Sequence, residues 1–259
     1  MATSDWTPPR LRPVAAAAAR LTGLSFVLPC FDEEPNVAAA VAAATEAGER
    51  VARRCEVLVV DDGSRDRTAA VAARLAARDR RVRLLSHGRN RGYGAAVRTG
   101  LRAARMPWLF LTDADLQFDL RELDGFVPPP AGVDLLIGWR IDRRDPLVRR
   151  ANAAAWNWLV RHAFALDVRD VDCAFKLMRR DVVERLDLAC DGAAISAELL
   201  VKARAAGARV EQRGVHHLPR TAGHQSGARP RVVAAAFREL SALHRSCGAA
   251  PAGGIDARL

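Results

Sequence analysis

Four short apolar runs, each stopped by a polar loop, dominate the first half of the chain. LSFVLP (24–29), CEVLVV (55–60), VRLLS (82–86) and WLFLT (108–112) show little of the polar alternation of a half-solvated strand. Segments of helical composition separate them, such as PNVAAAVAAATEAGERVA with Pro35 near its first turn and AAVRTGLRAA after a glycine-rich loop. Buried strands spaced by helices pack as a parallel sheet covered on both faces. The expected class is therefore α/β, with a mostly parallel central sheet and helices on both sides. Open sheets of this kind bind ligands beyond the carboxyl ends of their strands. The acidic and glycine-rich loops FDEE, DDGSRDRT, HGRNRGYG and DADLQ all fall there.

The second half is less regular. VDLLIGW (133–139) reads as a fifth strand and residues 147–166 as an amphipathic helix. A short strand around CAFKLM, helices near 180–186 and 194–206, a strand at 208–213 and a last helix at 228–244 follow. Residues 1–22 and 245–259 are rich in Pro, Ala and Gly and read as poorly ordered tails. One domain is expected over 23–244, with a first half (23–130) and a second half (131–244) of different character.

A chain of 259 residues that is 50% hydrophobic has a core large enough to need no covalent staples. Five cysteines share no C-x-x-C spacing, so neither a zinc ribbon nor a disulfide scaffold is expected, and a reducing cytosol suits them. There is no apolar run of about 18 residues, so no membrane-spanning helix is expected, and no signal-peptide pattern precedes the first strand. The expected location is cytoplasmic, with peripheral contact at the inner face of the membrane as a variant. Of 40 basic residues only Lys176 and Lys202 are lysine, a bias attributable to coding. The net charge of +10 divides into +3 for residues 1–130 and +7 for the remainder. Nucleic acid, a membrane surface or an anionic substrate would each suit that total.

The strand ends carry the chemistry. Asp113, Asp115 and Gln117 alternate just past an apolar strand, and alternate residues of an extended chain face one side. Two carboxylates and an amide oxygen then form a hard site suited to Mg²⁺ or Mn²⁺ holding a diphosphate, with an exposed acidic turn as the plain alternative. Asp61 and Asp62 repel each other at a strand end unless a base N–H or a cation is bound. A turn with Asp66 capping the next helix explains Asp66 well and Asp61 badly. Phe31 suits a stacking plate or a core aromatic equally, and Glu33 and Glu34 suit a helix N-terminus.

In the order LPCFDEEPNV, VVDDGSRDRT, RNRGYGAAVRTG, LTDADLQFD and DCAFKLMRRDV, the chain resembles the inverting glycosyltransferases of family 2. Within them it is most similar to the dolichyl- and polyprenyl-phosphate sugar synthases, over roughly residues 24–240. The resemblance implies a GT-A fold, a UDP- or GDP-linked sugar donor, a divalent metal and a hexosyl transfer with inversion. It implies that Pro29, Phe31 and Glu33 meet the nucleoside, with Phe in place of the usual Tyr and Asp32 in place of the usual Asn. Asp61, with Asp62 beside it, reads the base edge. Asp113 and Asp115, with Ala114 between them, meet the metal, ribose and diphosphate, and Gln117 is an extra metal ligand. Arg140 matches the Arg of G-x-R and, with Asp172, is implied to be catalytic. Arg149 and Arg150 match a basic pair for the acceptor phosphate, and Asp172 an acid near the acceptor. Arg220, Gly223 and Ser226 resemble a late loop that closes over the diphosphate, although Gly227 stands where the family has Lys.

A phosphate acceptor is already ionised and needs no strong base; a hydroxyl or amine acceptor would need one, and Asp172 is the first candidate. Capping, or pairing with Arg169 or Lys176, is its plain alternative. The helix at 147–166 either packs on the sheet or lies at a lipid interface, and both hold if Trp156 points to lipid. His216, His217 and His224 have no ligand spacing. The expected partners are a nucleotide-sugar and a lipid-phosphate or soluble small-molecule acceptor. A nucleotidyltransferase would show a glycine-rich loop with Lys after the first strand, where LPCFDEE stands. A nucleic-acid binder would not place acids at three strand ends.

Overall fold

The structure is a computed structural model that describes residues 19–141, 147–220, 222 and 230–247; of these, the side chains of 147–150, 230–234 and 247 are not described. In chain order the elements are β1 (Leu24–Cys30), α1 (Glu34–Val51), β2 (Cys55–Asp61), α2 (Thr68–Arg78), β3 (Val82–Ser86), α3 (Tyr93–Ala103) and β4 (Trp108–Leu111). A 3₁₀ turn (Leu120–Phe126), β5 (Leu135–Ile141), α4 (Leu147–Phe164), β6 (Lys176–Arg179), α5 (Arg180–Val183), α6 (Ile195–Ala205), β7 (Val210–His216) and α7 (Pro230–Cys247) complete it.

The seven strands form one sheet in the order β3-β2-β1-β4-β6-β5-β7. β1 pairs in parallel with β2 on one side and β4 on the other. β6 runs antiparallel to both β4 and β5, and β7 runs parallel to β5. Six strands thus share one direction and β6 opposes them. The chain leaves β1 toward β2 and returns on the far side as β4. This reversal opens a crevice at the carboxyl ends of β1 and β4, which is where such sheets bind ligands.

Both faces are covered, as unalternating strands require. Leu24, Phe26 and Leu28 of β1 pack with Val37, Val41 and Ala44 of α1, while Val27 packs on the opposite face with Val97 and Leu101 of α3. Edge-on rings tie the middle of the sheet together. Phe110 of β4 lies 5.5 Å from Phe26 and 4.7 Å from Phe175, and Phe175 lies 4.9 Å from Phe126 of the 3₁₀ turn. Edge-to-face pairs at these separations add to the burial of the rings. Phe175 immediately precedes β6, so the stack also fixes the segment that carries Asp172.

Several boundaries differ from the sequence reading, among them β7, expected at 208–213 and observed at Val210–His216. Leu21, expected in a tail, is buried and bridges to Ala52, with its N–H on Val51 O at 2.9 Å. The last helix continues to Cys247 rather than ending at 244. The remainder of both expected tails lies outside the described residues. The helix at 147–166 presents a different face from the one expected. Trp156 and Val160 turn inward, Trp156 meets Phe237 of α7 edge-on at 5.6 Å, and Trp158 is 60% exposed. Asn157 Oδ1, next to Trp156 in sequence, accepts the Val171 N–H at 2.8 Å, and this grip sets the rotation of the helix. No helix among the described residues is long and apolar enough to cross a membrane.

Candidate active site

Three loops meet at the crevice. The first follows β1, where Asp32 takes a left-handed φ of 54° that Asn and Asp tolerate best. Its carboxylate accepts the Arg65 N–H at 2.7 Å, so Asp32 ties this loop to the loop after β2. Asp66 completes the tie, accepting Glu34 N–H at 3.0 Å and Thr68 N–H at 2.9 Å and so capping the starts of both α1 and α2. Glu33 is buried; its Oε2 accepts Asn36 Nδ2 at 2.7 Å and its Oε1 pairs with Arg220. Phe31 is half-exposed and belongs to neither core cluster, while Pro29 lies in β1 opposite Val60.

Asp61 and Asp62 are both 2% exposed but have different work. Asp61 accepts Ser64 N–H at 3.3 Å and Ser86 Oγ at 3.2 Å. Asp62 accepts the amides of Arg91 and Gly92 at 2.9 and 2.8 Å and meets His87 Nδ1 at 2.7 Å. Its carboxylate is spent on holding the glycine-rich loop against the sheet. His87 Nε2 continues to Thr99 Oγ1 at 2.8 Å. The order Asp-His-Thr imitates a nucleophilic triad, but the His87 side chain is 4% exposed and Thr99 lies within α3, so the chain of bonds braces the loop.

The third loop follows β4. Asp113 Oδ1 accepts the phenol O–H of Tyr93 at 3.0 Å. Burial, reinforced by the charge of Asp115, pushes the Asp113 carboxyl up to about 7. Asp115 is also raised by burial, opposed by the Gln117 N–H on its Oδ1 at 3.1 Å and by Arg220, whose Nη1 lies 3.5 Å from Oδ2. Ala114 is buried between them. Gln117 donates its side-chain amide to Leu218 O at 3.0 Å, fastening this loop to the segment after β7. Arg220 thus bridges Glu33 and Asp115, and its Nε holds Ala222 O at 2.7 Å. Gly223 and Ser226 of the late loop lie outside the described residues, as does His224. His216 bonds Glu122, and His217 packs edge-on against Phe118.

Among the described residues no three His, Cys, Asp or Glu side chains form a ready metal cluster. The donor set nevertheless fits a hard divalent cation. Two half-buried carboxylates that repel each other, beside an amide, would be relieved by a cation that keeps several positions for water and diphosphate.

The turn that carries Asp172 rests on largely buried charge. Arg140 bonds Asp170 through Nε and Nη2 at 2.6 and 2.8 Å in a bidentate pair. Burial works against the charged form of Asp170, yet Arg140 holds its carboxyl below the usual range. Lys176 is fully buried and donates to the carbonyls of Val171 and Cys173, so it grips the turn that carries Asp172. Burial raises Asp172, and Lys176 and Arg140 oppose this. The indole N–H of Trp156 also serves it. Arg169 stacks over Trp139 at 4.8 Å instead of pairing with Asp172. Arg149 and Arg150 stand in the first turn of α4, with undescribed side chains.

Sequence reasoning passed over Tyr93, His87, Asp170 and Lys176 as site-building residues. Tyr93 carried the clearest signal, as the sole tyrosine, at the end of a glycine-rich loop and the start of a helix.

The raised Asp113 makes a stability prediction. A carboxyl near the usual 3.8 when unfolded and near 7 when folded binds more protons in the native state between those values, so stability falls as pH rises through that window. Metal-free Asp113→Asn should therefore melt above the wild type at pH 8, by about 2–4 °C for each kcal/mol of repulsion relieved. The difference should vanish toward pH 4. Scanning calorimetry in chelator checks both limbs; equal midpoints at pH 8 would exclude the strain.

Residues 25–187 match the family model described as Glycosyl transferase family 2. The chain is 35% identical over 215 residues to glycosyltransferase AglD of Haloferax volcanii, covering 79% of this chain and 34% of that protein. It is 31% identical over 169 residues to dodecaprenyl-phosphate galacturonate synthase of Rhizobium johnstonii, covering 64% of this chain and 50% of that one. The chain therefore spans only a third to a half of these two relatives. An uncharacterized glycosyltransferase of Mycobacterium tuberculosis is 36% identical and covered over 87% of its length, with 77% of this chain aligned. Glucosyl-3-phosphoglycerate synthase of M. tuberculosis, with Mn²⁺, UDP-glucose and phosphoglyceric acid, shares the fold at a TM-score of 0.66 and 18% identity, over 90% of this chain and 82% of that one. With the family model matched from β1 through α5, this chain belongs to glycosyl transferase family 2.

Proposed function

We propose that the protein transfers a sugar, with inversion, from a nucleotide-diphosphate sugar to a polyprenyl-phosphate-type acceptor, with Mg²⁺ or Mn²⁺ bound at Asp113 and Asp115. The observation that carries this reading is Arg220 lying between Glu33 and Asp115, which brings a phosphate-binding cation to the acid pair at the β1–β4 crevice. The acceptor class is supported by the Rhizobium relative, whose name is that of a dodecaprenyl-phosphate synthase. The donor and metal classes are supported by the UDP-glucose and Mn²⁺ of the M. tuberculosis synthase of like fold.

In this mechanism Phe31 and Asp61 hold the nucleoside and Glu33 orders the loop beneath it. Asp113 and Asp115 would hold the divalent cation, with Gln117 beside them, and a cation there would supply charge neutralisation for the diphosphate leaving group. Arg220 turns from Asp115 to the diphosphate, where its planar fork spans two oxygens. The acceptor enters from the α4 side, with Arg149 and Arg150 on its phosphate. Displacement is a single in-line step, for which no protein nucleophile is needed. Asp172 orients the acceptor, and for an ionised phosphate it need not take a proton.

The decisive experiment is a thermal-shift and transfer panel with Mn²⁺ across UDP- and GDP-sugars. One nucleotide should raise the melting temperature, and Asp115→Ala should cut turnover by about 10³-fold or more while the fold persists. Undiminished transfer by that variant would end the metal assignment. A soluble hydroxyl acceptor is the second reading, favoured by the protonation-prone Asp172. Asp172→Asn separates the two. With a phosphate acceptor it should lower kcat by about tenfold or less, whereas loss of a general base costs about 10²–10⁴-fold.

Peripheral membrane contact belongs to the same proposal. Trp158, Arg161 and His162 are exposed on one side of α4, and Arg238 and Arg245 on α7, which packs beside it. An interfacial Trp beside basic residues suits an anionic leaflet, at about 1 kcal/mol per basic residue. In co-sedimentation, wild type should bind vesicles containing phosphatidylserine, and Trp158→Ala with Arg161→Ala should bind several-fold less. No difference between the two would exclude α4 as the contact.

A further inference from the structure

Tyr93 is the single tyrosine of the chain and the first residue of α3. It has little freedom to move. Gly92 before it has φ 108°, and its amide and that of Arg91 are fixed on Asp62. Gly94 after it is pressed against backbone; a Cβ there would lie 2.5 Å from Cys190 O and 2.6 Å from Gly192 O. The phenol is thus clamped in front of Asp113 and occupies Oδ1. Asp113 Oδ2 accepts no hydrogen bond from any described residue. Asp115 differs, since Oδ1 carries the Gln117 amide and Oδ2 faces Arg220.

The number of carboxylate oxygens on offer decides which cation a site prefers. Ca²⁺ takes six to eight oxygens and readily accepts both oxygens of one carboxylate, whereas Mg²⁺ and similar small ions want octahedral geometry with single-oxygen ligands and retained water. We propose that Tyr93 is a specificity-determining positioning residue: by holding Oδ1, it limits Asp113 to one-oxygen ligation and selects a small octahedral cation over Ca²⁺. This inference rests on the reading of Asp113 as a metal ligand.

The test measures binding rather than turnover. Mn²⁺ affinity of the full chain is read by electron paramagnetic resonance in the presence of UDP or GDP, whichever raises the melting temperature, with Ca²⁺ as competitor. Tyr93→Phe keeps the ring and removes the hydroxyl. Loss of such an outer-sphere partner typically costs about 10–100-fold in metal affinity, so the Mn²⁺/Ca²⁺ preference should fall roughly tenfold. An unchanged preference would overturn the proposal alone. Absence of Mn²⁺ binding by the wild type would overturn it together with the metal assignment. A second measurement needs no substitution. In protein labelled with 3-fluorotyrosine the lone ¹⁹F resonance should shift on saturation with Mg²⁺ and that nucleotide, and a resonance that does not respond would also overturn the proposal.

Discussion

Two carboxylates placed two residues apart at the end of a buried strand cannot both stay charged without help. The help that Asp113 and Asp115 receive organises much of the structure around them. Tyr93 comes from 20 residues before Asp113 and Arg220 from 105 residues after Asp115. The first brings the glycine-rich loop to the acids and the second brings the segment after β7. Neither offsets the environment in full: burial first, and the charge of Asp115 second, still push Asp113 up to about 7. A hydrogen bond to one oxygen and a guanidinium at 3.5 Å from the other acid leave the pair responsive to a further cation.

A second set of charges does a different task around the turn at 170–173. Arg140 with Asp170, and Lys176 with two carbonyls, are buried and satisfied. Breaking such a pair would strand a charge in the interior, which is costly, so the turn at 170–173 has little latitude. Asp172 projects from a turn gripped at Asp170, Val171 and Cys173 and flanked by the aromatic stack at Phe175. Its neighbours in the chain are thus held by hydrogen bonds although it lies on a loop.

Much of this was legible in the sequence because it depends on short-range pattern. Unalternating apolar runs gave β1 to β4, and the acids directly after them stood where a parallel sheet displays its ligands. What was not legible depends on pairing across the chain or on helix rotation. Nothing local to Arg140 announces Asp170 thirty residues on. Asp61 and Asp62 are adjacent and alike, yet one is directed to Ser64 and Ser86 and the other to the amides of Arg91 and Gly92. The Ala-rich composition of α4 made two faces nearly equal in hydrophobicity. Asn157, a polar residue, chose between them by bonding Val171, turning Trp156 inward and Trp158 outward.

The same pairing reshapes the meaning of the net charge. Much of the arginine of the second half is committed within the fold: Arg179 to Asp181, Arg180 to Glu184, Arg209 to Glu211, Arg204 to the carbonyls of Phe164 and Ala165. Arg169 and Arg213 lie over the rings of Trp139 and Phe126. Such groups add to the total of +7 but do little to attract a polyanion, since the charge of each paired one is screened at short range by its partner. The basic residues left exposed on α4 and α7 are fewer and lie beside exposed Trp158 and Phe237. A uniform phosphate-binding surface would need charge spread along a groove with aromatic platforms. Here the exposed charge on these two helices is sparse and accompanied by exposed apolar rings instead.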